Sequence, residues 1–223
     1  MTSRRFVIPD IHGCAVTFRR LVQDTIRLTT DDELFLLGDL IDRGPDSKGV
    51  LDFIFELRTA GFSVMAVRGN HEDMYLRAGD DRQAMDLWVA NGGYATLASF
   101  RADGPGDIPH NYQFYLRSLP YYLLLDGFVI VHAGLNFDTA DPFDDTTAML
   151  WTRSAVVDLS RTGNRRLVCG HTPVSRAQLE ASLTSSKIML DNGCVFGDRS
   201  DMGSLAALEL NSLTVSYLNN LDR

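Results

Sequence analysis

The chain has 223 residues and a formal net charge of −8, with 45% hydrophobic and 22% charged residues. This length fits one domain with a full core. The acidic balance argues against general nucleic-acid binding, which needs a basic surface, but is compatible with an anionic substrate held by local positive charge.

Arg5 to Ile8 reads as a first strand, short, partly β-branched and closed by Pro9. From Cys14 to Leu28, the residues Val16, Phe18, Leu21, Val22, Ile26 and Leu28 fall at spacings that predict an amphipathic helix. A polar turn follows, and Leu34 to Leu37 is the second strand. Asp46 to Ala60 predicts another helix, with Val50, Leu51, Ile54, Phe55 and Leu57 on one face, Asp46 or Ser47 as N-cap and Gly61 as its stop. Phe62 to Val67 makes a third strand. A β-α-β-α-β run with such connections forms a parallel sheet, so the loops after its three strands emerge on one edge.

Glu72 to about Leu119 is helical but less regular, broken by Gly92-Gly93 and by a Gly104-Pro105-Gly106 turn. β character returns in Tyr121 to Leu125 and Phe128 to Val131, joined as a hairpin by Asp126-Gly127. Asp138 to Thr147 reads as a solvated acidic loop, since it lacks the alternation of a calcium-binding loop. Leu167 to Cys169, Lys187 to Leu190, Ser204 to Leu210 and Thr214 to Leu218 are further short strands.

Five polar loops follow apolar runs: Pro9-Asp10-Ile11-His12-Gly13, Gly38-Asp39-Leu40-Ile41-Asp42-Arg43-Gly44, Arg68-Gly69-Asn70-His71-Glu72, His132-Ala133-Gly134 and Gly170-His171-Thr172. Only His110, of the five histidines, lies outside them. Any one loop is ordinary turn chemistry. Five at strand ends point to a shared site, because ligands of open α/β sheets bind at that edge. Imidazole with carboxylate suits manganese, iron or zinc. Asp10 and His12, two apart in an extended segment, can point the same way, whereas Asn70 and His71 diverge. Asp39 has two oxygens with which to bridge two ions, an arrangement suited to phosphoryl chemistry.

The succession Asp-x-His-Gly, Gly-Asp-x-x-Asp-Arg-Gly, Gly-Asn-His-Glu, His-Ala-Gly and Gly-His-Thr resembles the signature of the phosphoprotein phosphatase family of metallophosphoesterases. It is most similar to the compact bacterial and phage members. The resemblance spans about residues 5 to 193. It implies an α/β fold, a calcineurin-like β-sandwich of mixed sheets flanked by helices, as a single domain over 1–223 with a helical insertion or cap at about 73–119. It also implies that Asp10, His12 and Asp39 hold one divalent metal, and that Asp39 bridges to a second held by Asn70, His132 and His171. Manganese is the expected ion. His71 takes the role of general acid, oriented by Asp42, while Arg43, Arg68 and Arg153 grip phosphate.

The activity so implied is hydrolysis of phosphomonoesters, with phosphoserine and phosphothreonine of proteins as the expected substrates, by direct attack of a hydroxide held between the metals. The alternative is a dinucleoside polyphosphate hydrolase of the diadenosine tetraphosphate type. A third reading, a non-catalytic protein that kept the fold, is opposed by the complete ligand set. Pro9 stands where the family has a glycine, a change that removes no ligand. The three widely spaced cysteines, Cys14, Cys169 and Cys194, argue against a disulfide framework or a zinc knuckle. No apolar run approaches the roughly 18 to 20 residues of a membrane span, and the N-terminal apolar stretch is too short for a signal peptide, so the expected location is the cytoplasm.

Overall fold

The computed structural model describes residues 3–197, 199 and 201–222. Strand β1 (Arg5–Ile8) leads into helix α1 (Ala15–Arg20), then β2 (Glu33–Leu36), α2 (Ser47–Thr59) and β3 (Ser63–Ala66). Four helices follow: α3 (Asn70–Arg77), α4 (Arg82–Trp88), α5 (Tyr94–Phe100) and α6 (His110–Ser118). The hairpin β4 (Tyr122–Leu125) and β5 (Phe128–Val131), α7 (Thr146–Trp151), β6 (Arg166–Cys169), α8 (Arg176–Ser182) and β7 (Lys187–Met189) come next, and β8 (Ser204–Glu209) with β9 (Thr214–Asn219) completes the order.

The strands form two mixed sheets. One runs β3-β2-β1-β8-β9 and the other β4-β5-β6-β7. β1, β2 and β3 are parallel, as the sequence predicts, and β8 adds antiparallel to β1. In the second sheet β5, β6 and β7 are parallel and β4 pairs antiparallel with β5. Alternate residues face opposite sides of a strand. Val7, Phe35, Ala206 and Leu208 of the first sheet therefore meet Ile130, Val168 and Ile188 of the second in one apolar layer. Phe6, Ile8, Leu34 and Leu36 face the other way, where Phe18 and Leu21 and the α2 residues Val50, Phe53 and Ile54 cover them. Each such buried side chain contributes about 1.5–3 kcal/mol of transfer free energy. Because both faces are buried, these strands read as continuous apolar runs.

Several local expectations are refined. The predicted helix over 14–28 is an α-helix only to Arg20, and a π-helical turn (Leu21–Thr25) continues it. There Ile26 N–H donates to the Leu21 carbonyl five residues back, and Arg27 closes the segment with a left-handed backbone (φ 49°). The wider turn keeps Leu21, Val22 and Ile26 all buried. Asp46 is the N-cap of α2, its carboxylate accepting from Gly49 N–H. Gly92-Gly93 lies at a kink (Val89–Gly93) that joins α4 to α5, with Gly92 non-helical at φ 108°. Leu125 pairs with Phe128 across Asp126-Gly127, as the hairpin signal predicts. The acidic loop ends early: Asp145 caps α7 by accepting from Ala148 N–H, so Thr146 and Thr147 are helical. All three cysteines are free and buried. His110 is exposed at the start of α6. Among the described residues, no helix is long and apolar enough to cross a membrane.

Candidate active site

The loops that leave β1, β2 and β3 meet at the carboxyl edge of the first sheet and are laced by backbone hydrogen bonds. Ile11 and His12 N–H both donate to the Asp39 carbonyl (3.1 and 2.8 Å), and Gly13 N–H donates to Leu40 (3.0 Å). Five site residues have left-handed backbones: His12 (φ 47°), Asp39 (47°), Asp42 (72°), Arg43 (68°) and His171 (67°). Such conformations are costly for residues with a Cβ and persist only where surroundings impose them. Glu72 imposes much of this one. Its buried carboxylate accepts from the N–H groups of Asp39, Leu40 and Gly69 at 2.8 Å each and of Ile41 at 3.4 Å. Close approach of backbone also matters: a Cβ at Gly69 would collide with the Asp39 carboxylate, and one at Gly170 with that of Asp10.

Donor atoms converge on these loops. His12 Nδ1 lies 3.0 Å from the Ile41 carbonyl and His132 Nδ1 lies 2.8 Å from that of Leu37. A carbonyl only accepts, so in both rings Nδ1 carries the proton and Nε2 presents its lone pair. His12 Nε2 is 3.5 Å from Asp39 Oδ2, and His132 Nε2 is 3.5 Å from Asp39 Oδ1. Asn70 Oδ1 lies 2.8 Å from His132 Nε2 and 2.9 Å from His171 Nδ1, and those two nitrogens are 3.2 Å apart. Among the described residues, two groups of three have ligand atoms within 4.8 Å of one another: His12, Asp39 and His71, and Asp39, His132 and His171. Asp39 belongs to both, as a bridging ligand must. Asp10 falls outside these groups of three; it is buried beside them, both oxygens accepting from His171 N–H at 3.0 Å.

The electrostatics fit a bound cation. Burial raises the pKa of Asp10, reinforced by the charge of Asp191, and burial raises that of Asp39, reinforced by Asp10. Burial likewise lowers His12 and His132 well below the ordinary value and His171 to about 4. The imidazoles are thus neutral, as metal ligands must be, while the carboxylates lack positive charge that divalent ions would supply. Among the described residues, the buried Nε2 atoms of His71 and His171 have no hydrogen-bond partner, which leaves both open to a ligand.

His71 sits in the first turn of α3 with no exposed surface. Its Nδ1 lies 2.8 Å from Asp42 Oδ2, while Nε2 faces Asp39 Oδ2 at 3.9 Å with no hydrogen-bond partner among the described residues. Burial lowers its pKa and the Asp42 pairing opposes that shift. Asp42 is itself held by Trp88 Nε1–H (2.9 and 3.1 Å to its two oxygens) and by the Thr96 hydroxyl (2.6 Å).

A model of the calcineurin-like phosphoesterase family matches residues 3–204. The chain belongs to that family. The serine/threonine-protein phosphatase 1 of Salmonella typhimurium is 32% identical over 203 residues, covering 86% of this chain and 87% of that protein. A bis(5′-nucleosyl)-tetraphosphatase (asymmetrical) of Oceanobacillus iheyensis is 27% identical over 218 residues, covering 86% and 85%. A serine/threonine phosphatase structure from Saccharomyces cerevisiae superposes with a TM-score of 0.72 at 15% identity, covering 100% of this chain and 81% of that one, and so shares the fold. The match to the Salmonella protein phosphatase over most of both chains places the chain on the phosphoprotein phosphatase branch of the calcineurin-like phosphoesterases, as the motifs imply.

The three arginines expected of this branch stand differently. Arg43 Nη1 is 2.8 Å from His12 Nε2, so its guanidinium lies directly on the donor cluster. Arg153 is exposed on the segment after α7, near enough to His171 for its charge to depress that imidazole. Arg68 is tied to the Tyr121 hydroxyl (3.1 Å) and the Arg117 carbonyl (2.7 Å), and the structure does not bring it onto the cluster. Sequence reading left four residues without roles that the calcineurin-like phosphoesterase site uses: Glu72, Ser47, Trp88 and Thr96. Glu72 lies within a quoted motif and was open to discovery. Trp88 and Thr96 meet Asp42 from 46 and 54 residues away, beyond the reach of any local pattern.

Proposed function

We propose that this calcineurin-like phosphoesterase is a metal-dependent phosphatase that hydrolyses phosphomonoesters, with phosphoserine and phosphothreonine of proteins as its substrates. The observation that carries the reading is His71: a buried imidazole, backed by Asp42 through Nδ1, with an unpartnered Nε2 facing the donor cluster. In this reading Asp10, His12 and Asp39 hold one divalent ion and Asp39, Asn70, His132 and His171 a second, with manganese the expected metal. Bound there, such ions supply Lewis acidity to the phosphoryl group and acidify a water molecule for direct attack.

The chain's own groups do the rest. Arg43 and Arg153, with Arg68 once it leaves its present partners, present planar N–H forks to the phosphoryl oxygens. His71 donates the Nε2 proton to the departing oxygen, and Asp42 holds the ring and stabilises the imidazolium before transfer. No phosphoenzyme is required. The 32% identity with a serine/threonine-protein phosphatase over most of both chains supports the choice of substrate class. The activity is expected in the cytoplasm, on a folded domain spanning the chain.

Replacing His71 by Ala tests the acid. Turnover of an alkyl phosphate is expected to fall by about 10²–10⁴ with metal content retained. An aryl phosphate, whose leaving group needs less protonation, loses less. Near-normal rates on the alkyl ester would overturn the assignment.

A second reading, hydrolysis of a dinucleoside polyphosphate, is favoured by one further feature. Beside His171, Phe137, Trp151, Asn136 and Val156 line a cavity of about 470 Å³, and the Trp151 ring stands edge-on to His171 at 5.9 Å. Two aromatic rings and an amide suit a nucleoside. Rates on a phosphoserine peptide and on diadenosine tetraphosphate, compared at equal metal, decide between the two.

A further inference from the structure

The Asp42 side chain is held at several points, and two of its holders, Trp88 and Thr96, come from helices the reaction does not otherwise use. Its carboxylate receives three donors: the His71 ring at 2.8 Å, Trp88 Nε1–H and the Thr96 hydroxyl at 2.6 Å. Its backbone N–H donates to both Ser47 Oγ and Thr96 Oγ1 at 3.0 Å. The Thr96 proton is committed to the carboxylate, so across the 2.9 Å contact of the two hydroxyls Ser47 is the donor. Every member of this network is buried: Asp42, Ser47, His71 and Trp88 have no exposed surface and Thr96 has 1%. With every polar atom of Asp42 and both hydroxyls matched, the buried network fixes one arrangement of that carboxylate, because any other leaves one of them unpaired.

The same segment is shaped around this grip. At the kink between α4 and α5, Gly92 has a φ of 108°, and its carbonyl accepts from Arg43 N–H at 3.2 Å. A Cβ on Gly92 would meet Arg43 Cγ at 2.8 Å, and one on Gly93 would strike the Trp88 indole. Asp42 and Arg43, both left-handed, are thus clasped from the far side of the loop.

We propose that the α4–α5 unit is a positioning clamp for the acid pair, in which Trp88 and Thr96 orient Asp42 so that His71 Nε2 stays aimed at the leaving-group oxygen. The proposal rests on the reading of His71 as general acid. Trp88 and Thr96 are positioning residues: they touch neither substrate nor metal ligands and act through Asp42.

The test uses Thr96→Val, which keeps shape and removes the hydroxyl, with Thr96→Ser as the conservative control. Trp88→Phe, which keeps an aromatic ring against Tyr75 and removes the N–H donor, is a second route should the valine variant fail to fold. With the metal-loaded full chain, kcat on an alkyl phosphate is expected to fall by roughly 10- to 100-fold, the usual cost of losing such a supporting partner. KM and metal content hold, and the rate on an aryl phosphate falls by less than about threefold, because that leaving group needs less help. Thr96→Ser is expected to recover the alkyl rate. In parallel, the low-field proton resonance of the His71 Nδ1–H···Asp42 bond, identified by its absence in His71→Ala, is expected to move or broaden in Thr96→Val. Equal losses on both esters, lost metal, or unchanged rates with an unmoved resonance would each overturn the clamp. His71→Ala run on the same two esters separates the failures. If it shows no leaving-group dependence, the acid reading falls, and the resonance alone then decides whether the clamp orients the Asp42–His71 pair.

Discussion

The two ends of the parallel strands β1 and β2 treat charge in opposite ways. At the amino end, Arg4 binds Asp32 through Nε (3.0 Å) and Nη2 (2.6 Å), and Asp32 also accepts from Thr29 N–H and its hydroxyl (2.8 and 2.9 Å). Every Asp32 oxygen is served, and its pKa is held down at about 2. At the carboxyl end, Asp10 and Asp39 are more deeply buried, and that burial, reinforced by the charge of Asp191 at Asp10 and of Asp10 at Asp39, sets both above the ordinary carboxylate range. There the backbone is left-handed at four non-glycine residues of the first two loops, and His71 Nε2 has no partner among the described residues. One end is arranged to hold the fold; the other keeps its polar groups unsatisfied, which is what leaves them available to a ligand.

If that contrast is right, substitutions should separate cleanly into those that cost activity and those that cost stability. The largest effect is expected from Asp39→Asn. Asparagine can still accept the His71 N–H that Asp39 Oδ1 accepts at 3.0 Å, so the loop survives. The shared charge does not, and the loss of several kcal/mol of charge stabilisation lowers kcat by about 10³ or more. The fold should gain. Because the pKa of Asp39 is raised in the folded state, ionising it there is unfavourable at neutral pH, and the metal-free variant should melt above metal-free wild type. Metal analysis and calorimetry check both halves. A lower melting temperature would break the contrast.

Glu72→Gln tests the group that belongs to both categories. It sits at the reactive edge but is satisfied, taking four backbone N–H groups on two oxygens. A glutamine turns one acceptor into a donor facing donors, at a cost of about 2–3 kcal/mol. The expected result is a melting temperature lower by roughly 5–10 °C. A loss of activity smaller than that of Asp39→Asn follows from loosening of the Asp39 loop. Thermal unfolding and kcat on one ester check it.

The reactive edge was legible because its chemistry repeats as short motifs, each a run of metal-compatible or phosphate-compatible side chains after an apolar strand. The parallel run of β1 to β3 was legible because β-α-β crossovers leave few alternatives. What supports the edge was not. Trp88 and Thr96 lie on a helical stretch whose apolar pattern is irregular, and their partner is half a hundred residues away. The π-helical turn at Leu21–Thr25 and the kink at Val89–Gly93 go with packing and with the contact of Gly92 with Arg43, neither of which has a periodic signature. Arg68 shows the complementary case. Its motif predicts a phosphate ligand, and its side chain is instead occupied by Tyr121 and Arg117. Residue type fixes what an arginine can grip, but tertiary neighbours decide what it grips first.

Breaking the amino end should give the smallest effect and no change in catalysis. Asp32→Asn removes the carboxylate that Arg4 and Thr29 share, far along β1 and β2 from the donor cluster. Asp32 has its pKa lowered from 3.8 to about 2 in the folded protein. A depressed folded-state pKa contributes stability that is fully present above the unfolded value and is lost as pH falls through the folded one. Wild type should therefore lose about 2 kcal/mol of stability between pH 5 and pH 2 through this group, and Asp32→Asn should lack that part of the decline. Near neutral pH the variant should be less stable by a similar amount, with kcat and KM unchanged. Urea unfolding across that pH range, set beside steady-state rates, measures both. If Asp32→Asn altered kcat while its stability held, the two ends of the sheet would not be separable, and the strain at the carboxyl edge would have to be balanced by the ion pair at the amino one.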